Sequence, residues 1–461
     1  MTTGTKDRTV CFPPNNSLGN LYLFDAAGEE WLGEARGRVT VPAAKGLSLH
    51  VSDDTLQELS ALRHLQADDL QAFSASGSSI CDSDLSHLAN LKALRKIDLS
   101  HTAISDLGLN RLSGLAKLEV LFLDGTSVTD TGLCSLSSMH ELRVLNLAAT
   151  GVSSIAEIAD LKALKELNLA NTQLNDRAAH NLGSATAMQC LNLSNTPLSD
   201  SALSALSRLT LLRELSLEET PVSDDIFEHL SGLTALQELS VAKTEINGSG
   251  LNKLDRLAAL VHLNLGDTAV CDRGLAHMPP LPALHTLQLS DTRITDVGLS
   301  HVLRLHSLKN LSLSGCKVTG VNLSLLSALR LLKSLDLSWT RLNDLGVMQS
   351  GLDELSGLER LDLSFTHIGD QALRHLEHNV NLRSLNISAT HIGDKGLSYV
   401  AHLTNLEHLD ASNTRISNRG LVKLSVLRKL QDVVVFDTKV TERSAQYLQQ
   451  HLPGCDIAFG A

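Results

Sequence analysis

A threonine returns along most of the chain at nearly constant spacing, and this recurrence restricts the possible folds more than any other feature. It stands at Thr102, Thr126, Thr150, Thr172, Thr196, Thr220, Thr244, Thr268, Thr292, Thr340, Thr366, Thr390, Thr414 and Thr438, with Cys316 in its place once. Nearly every step is 24 residues, while the step from Thr150 to Thr172 is 22 and that from Thr340 to Thr366 is 26. Ser78 and Leu49 carry the register backwards, giving about seventeen units. A unit this short cannot bury its own apolar side chains, so the 461 residues read as one stacked array rather than as several globular domains.

Around the threonine each unit reads approximately LxxLxLxxTx(I/V)(S/T)Dx(G/A)LxxLxxL, as in Leu94 to Leu109. In this unit Ile97 and Leu99 alternate with Lys96, Asp98 and Ser100, which predicts a short strand with the apolar pair facing inward. Strands of successive units then stack in parallel. The threonine follows where the chain leaves the strand, and its hydroxyl is expected to bond backbone groups that the turn leaves unpaired. Asp82, Asp106, Asp130, Asp176, Asp200, Asp224, Asp272, Asp296, Asp344, Asp370 and Asp394 each precede an LxxLxxL run and read as helix N-caps, a structural role that accounts for much of the negative charge.

This pattern resembles the leucine-rich repeat family, and more narrowly the threonine-containing 24-residue repeats with an "ITDxGL" centre found in large bacterial repeat proteins. The resemblance runs from residue 47 to 452. It implies an α/β fold, a leucine-rich-repeat solenoid or horseshoe with a parallel β-sheet on the concave face and short helices on the convex face. Stacking at ~4.8 Å per strand would make the sheet roughly 80 Å along its arc.

Both ends depart from the repeat, as lids on an open core must. Residues 1–46 read as a β-rich N-terminal cap carrying Phe12, Tyr22, Phe24, Trp31 and the strand-like run Gly37 to Pro42. The stretch from Ser17 to Asp53 also resembles the leader preceding such repeats in bacterial proteins. The array occupies 47–441, and 442–461 form a C-terminal helix and strand cap. There, Val433 to Phe436 is the expected last strand and Glu442 to Leu452 a helix that Pro453 and Gly454 stop. Asp456 to Phe459 then lies across the open core.

Composition narrows the function. A net charge of −12 and a pI near 5.9 argue against a general nucleic-acid or anionic-membrane surface. Seven cysteines, odd in number and without metal-ligand spacing, suggest buried free thiols in a reduced compartment. The start of the chain leads into no apolar signal region and no stretch approaches a membrane span, so the expected location is cytoplasmic. His375 and His378 lie three apart, but no further ligand is near, and neither a metal nor a cofactor is expected. Asp336 and Asp362 could suggest acid and base chemistry, making a hydrolase the least favoured alternative.

Function must therefore sit at positions the core leaves free. Just after each threonine the residues run Ala103, Ser127, Gly151, Gln173, Pro197, Pro221, Glu245 and Ala269, then switch to Arg293, Lys317, Arg341, His367, His391, Arg415 and Lys439. Such a rim suits carboxylates or phosphates. Just before the threonine, Trp339 and Phe365 replace the usual Asp, Asn, Gly or Ala, a composition typical of an interface anchor. Glu166, Glu214, Glu218, Glu219, Glu238 and Glu245 form a secondary acidic surface that would orient an elongated partner. The insertion around Met348 to Gly351 is a further candidate loop. The expected protein is a non-enzymatic scaffold or adaptor that binds a protein through the concave face and its basic rim. A sensor of a phosphorylated or polyanionic ligand is the main alternative.

Overall fold

A computed structural model describes residues 7–25 and 28–460. Its contacts divide the chain into two compact units, Met1–Pro221 and Val222–Ala461. In the first, Arg8–Cys11 and Arg38–Val41 form an antiparallel ribbon. Asn20–Asp25 pairs antiparallel with Gly28–Glu34 on one side and with Gly46–His50 on the other. From Gly46–His50 onward every pairing is parallel, through Ala72–Ser74, Lys96–Asp98, Val120–Phe122, Val144–Asn146, Glu166–Asn168, Cys190–Asn192 and Glu214–Ser216. The central residues Leu49, Phe73, Ile97, Leu121, Leu145, Leu167, Leu191 and Leu215 stand in register across the ladder.

The second unit repeats this arrangement from Glu238–Ser240 to His408–Asp410, with Leu239, Leu263, Leu287, Leu311, Leu335, Leu361, Leu385 and Leu409 in register. Asp432–Phe436 follows, and Asp456–Gly460 pairs with it in parallel. The terminal segment thus adds another strand to the ladder instead of lying across the stack, because its backbone groups find partners only along the strand edge. Helix Glu442–His451 precedes it.

Each coil crosses from strand to a short α- or 3-10 helix and back. In the coil containing Thr102, Leu94, Ile97, Leu99, Ile104, Leu109 and Leu112 are all buried, so the apolar pair predicted for the strand faces inward, while Ser100, expected outward, is buried as well. The threonine hydroxyl donates to the carbonyl three residues earlier, Thr102 to Leu99 at 2.6 Å and Thr366 to Leu363 at 2.6 Å. That bond satisfies a buried carbonyl that the turn would otherwise orphan. Cys316 breaks the rule. Its thiol reaches across to the Leu289 carbonyl at 3.1 Å and lies 3.3 Å from the Thr292 hydroxyl.

The recurring aspartates are not N-caps. Ser105 caps helix Asp106–Leu112, accepting from the Leu107 amide at 3.3 Å, and Asn343 and Ser417 cap their helices in the same way. Asp106 is the first helical residue, where its charge still favours the helix N-terminus. Its carboxylate points to the next coil and accepts the Thr129 amide at 2.7 Å and the Thr129 hydroxyl at 2.6 Å. Asp82 holds Ser105, Asp130 holds Ser153, Asp272 holds Thr295 and Asp394 holds Ser417 by the same pair of bonds. The motif glycine follows from this rung. A Cβ on Gly108 would stand 2.3 Å from Asp82 Oδ1, and one on Gly396 2.7 Å from Asp370 Oδ1.

The cysteines also differ from expectation. None of the seven is in a disulfide, but only Cys316 and Cys455 are buried, whereas Cys11, Cys81 and Cys134 are exposed. The exposed three occupy positions outside the leucine columns, where the repeat does not dictate burial. Under native conditions at pH 8, iodoacetamide should modify Cys11, Cys81 and Cys134 well before Cys316 and Cys455, read by peptide mass spectrometry. Burial raises the thiol of Cys316 and pushes that of Cys455 up to about 11, so both stay protonated as well as covered.

A second expectation concerns the rungs. Partial burial pushes the Asp130 carboxyl up, but bonds from the Ser153 hydroxyl and amide and from the Ser154 amide outweigh it and hold it below the ordinary value of 3.8. The stability it adds is therefore present above pH 3.8 and lost as pH falls below it, where the unfolded chain takes up the proton first. Asp130→Asn should cost about 1–2 kcal/mol at neutral pH. Its urea midpoint should approach that of the parent as pH falls below 3.8.

Candidate functional site

The residue before each threonine has a left-handed backbone. In the second unit this column holds Lys243, Asp267, Asp291, Gly315, Trp339, Phe365, Ala389, Asn413 and Asp437, with φ between 51° and 69°. The cause is the turn out of the strand, which aims the amide of this residue along the stack. Trp339 donates to the Ser364 carbonyl at 3.0 Å and Phe365 to that of Ser388 at 3.0 Å. Glycine, asparagine and aspartate adopt this backbone readily, whereas a bulky residue pays about 1–2 kcal/mol. The prevalence of Asp, Asn and Gly in the column was the sequence signal for this conformation.

Trp339 and Phe365 are the two large aromatics in that column. They do not tuck into the turn: Trp339 is 62% exposed and Phe365 44%. Their rings stack face to face, centroids 4.0 Å apart and planes 9° apart. This separation is close to the spacing of adjacent coils, about 4.8 Å, so the rings lie across the ladder and their free faces look along it. Those faces open towards Gly315 and Ala389. The carboxylate of Asp291 leans into the space at Gly315, its Oδ1 2.1 Å from where a Cβ would stand. Neither Asp291 nor Gly315 was singled out from sequence.

Arg293, Lys317, Arg341, His367, His391, Arg415 and Lys439 are all exposed and occupy one rim of the same unit. Their backbones are fixed by a second run of inter-coil bonds, as from Lys317 to the Ile294 carbonyl at 2.9 Å and from Arg415 to that of Ile392 at 2.8 Å. The His367 and His391 rings are 6.3 Å apart. Among the described residues no side chain of the seven makes a hydrogen bond or ion pair.

On the other side of the aromatic column lies a polar floor. Asp336 accepts from the hydroxyl of Ser312 at 2.8 Å and from the amide and hydroxyl of Ser338 at 3.0 and 2.7 Å. Asp362 accepts from the amide and hydroxyl of Ser364 at 2.8 and 2.6 Å and from Asn386 at 2.9 Å. These bonds make both carboxylates clamps on the strand exit.

The remaining candidates are dispersed. Glu166, Glu214, Glu218 and Glu219 belong to the first unit, and Glu238 and Glu245 to the second. Met348 is exposed on the helical side, in a depression with Leu345, Arg374, His375 and His378. The 26-residue coil accommodates its insertion there, where Gly351 turns left-handed. Among the described residues no group of three or more His, Cys, Asp or Glu is placed to hold a metal ion. No helix of the described chain is long and apolar enough to cross a membrane.

The stacked pair is costly to the backbone and contributes nothing to the core. Trp339→Asn and Phe365→Asn install a residue that Asn413 already carries in this column. Relief of about 1–2 kcal/mol per site should offset a stack worth about 0.5–1.5 kcal/mol. The double variant should therefore melt at or above the parent temperature, measured by circular dichroism.

The family model "Leucine Rich repeat" matches residues 282–302, 328–348, 358–376 and 378–401. No curated protein matches the sequence significantly. Among solved structures, the internalin inlF of Listeria monocytogenes is 26% identical, with a TM-score of 0.57 over 72% of this chain and 89% of that one. A leucine-rich-repeat protein of Leptospira interrogans is 19% identical, with a TM-score of 0.57 over 88% of this chain and 98% of that one. The mouse RP105/MD-1 complex gives 16% identity and a TM-score of 0.55 over 83% of this chain and 73% of that one. Repeat, parallel ladder and matched family model agree that residues 282–401 carry leucine-rich repeats and that the chain shares the fold of leucine-rich-repeat proteins.

Proposed function

We propose that the protein is a non-enzymatic scaffold that binds a protein partner on the strand face of residues 222–461, along the rim from Arg293 to Lys439. The observation that carries this reading is the Trp339 and Phe365 stack: two bulky residues held at positive φ, exposed, and serving no core. Strain retained without a packing return is the mark of a functional position. Large aromatic area beside arginine has the composition of an interface anchor. The mouse RP105/MD-1 complex shares this fold. The exposed thiols of Cys11, Cys81 and Cys134 favour a reducing compartment such as the cytoplasm.

Affinity capture from the source cells tests the assignment. Partners retained by the parent protein should be lost from Trp339→Asn combined with Phe365→Asn and Arg341→Ala, while the variant keeps its circular dichroism spectrum. Full retention of every partner by that variant would show that the contact surface lies elsewhere.

A further inference from the structure

We infer that the occupant of this rim is an extended acidic polypeptide segment carrying an aromatic residue, whose ring continues the stack on the free face of Phe365 above Ala389. The inference rests on the strand-face reading just given and names the chemistry of its partner.

Three rows run side by side along the second unit. The aromatic stack lies in the column before the threonines, the basic rim two residues further on, and the carboxylates of Asp336, Asp362 and Asp410 on the strand floor to the other side. The seven rim side chains have no hydrogen-bond or ion-pair partner among the described residues, which leaves the guanidinium and ammonium donors of Arg293, Lys317, Arg341, Arg415 and Lys439 open to a ligand. With six steps of about 4.8 Å, the rim is about 29 Å long. An extended chain places side chains on one face about every 6.8 Å, so about five acidic residues within nine would span it.

The alternation of an extended chain also suits the floor. Its acidic side chains face the rim while those between them, neutral or basic, face Asp336 and Asp362. A nucleic-acid strand cannot separate its charge in this way. Its phosphates would meet the floor carboxylates and the field of a chain carrying −12 overall.

The aromatic anchor follows from what lies beside the stack. Ala389 presents only a methyl group between Phe365 and Asn413. Phe365 and Asn413 are two coils apart, about 9.6 Å, and a ring in van der Waals contact on both faces needs about 7–8 Å.

The test uses the full chain and fluorescein-labelled nine-residue peptides in which Glu alternates with Ser and the central residue is Trp or Ala. A Lys-for-Glu peptide and a thymidine oligonucleotide of equal charge serve as comparisons. The Glu peptide with Trp should bind, weakening at least tenfold between 50 and 200 mM salt, on the order expected for contacts to several charges. It should bind about two- to tenfold tighter than its Ala counterpart, the range of one aromatic stack. Phe365→Asn should abolish that preference and keep the salt-dependent part. Lys317→Glu with Arg341→Glu and Arg415→Glu should abolish both.

Failure of every acidic peptide, equal binding of the Lys peptide, tighter binding of the oligonucleotide, or a Trp preference that survives Phe365→Asn would each overturn the inference. So would a dimer in sedimentation that the same charge reversals convert to monomer, since a second copy would then be the occupant. If captured partners still depend on Trp339 and Phe365 while the peptides fail, the contact surface stands and only the acidic, aromatic chemistry falls.

Discussion

Between one coil and the next, an aspartate at the start of the helical segment accepts the amide and hydroxyl of a serine or threonine 23 residues later, as Asp106 does from Thr129. Leucine columns would tolerate small slips along the stack, because apolar contact has little direction. Two charge-assisted bonds of 2.6 to 2.7 Å do not. They set the register in which the strands pair. Much of the conserved-looking spacing within each coil follows from them, including the glycine two residues after the aspartate, which leaves room for the preceding carboxylate.

With the register secured in this way, the interior is fully committed. Leucines fill the core, the threonine closes the strand exit, and the rung joins coils. What remains free is a narrow set of rim and floor positions, and there the coils differ from one another. The column before the threonine carries a backbone cost for most residues, so its occupancy is informative: Asp, Asn and Gly follow the backbone, Lys243 and Ala389 bear its cost without a ring, and Trp339 and Phe365 bear it with large exposed aromatics. Their mutual stack recovers only part of that cost. An exposed aromatic surface beside unpaired cations is consistent with an outside partner supplying the remainder.

Sequence reasoning was strongest where one residue type reports one physical demand. Alternation of Ile97 and Leu99 gave burial and strand direction, and the threonine gave a local bond three residues away. It failed for the aspartates because a cap and a rung have the same local spelling: both place an acid before an apolar helix. It also misjudged Cys11, Cys81 and Cys134, whose positions fall outside the buried columns, and the placement of the terminal strand Asp456 to Phe459, which pairs along the ladder instead of lying across it. The left-handed column was written in its Asp, Asn and Gly content but is visible only when the coils are aligned by position.

By itself, the sequence determined the period, the apolar columns and the repeat type, because the inward pattern of leucines and the closure of the turn are both written within one coil. Tertiary structure alone decided where polar side chains point. The partner of Asp106 lies a whole coil away, and the stack of Trp339 on Phe365 exists because parallel strands bring residues 26 apart in the chain to one coil spacing. Such contacts depend on the stacking register, which no local pattern of residues contains.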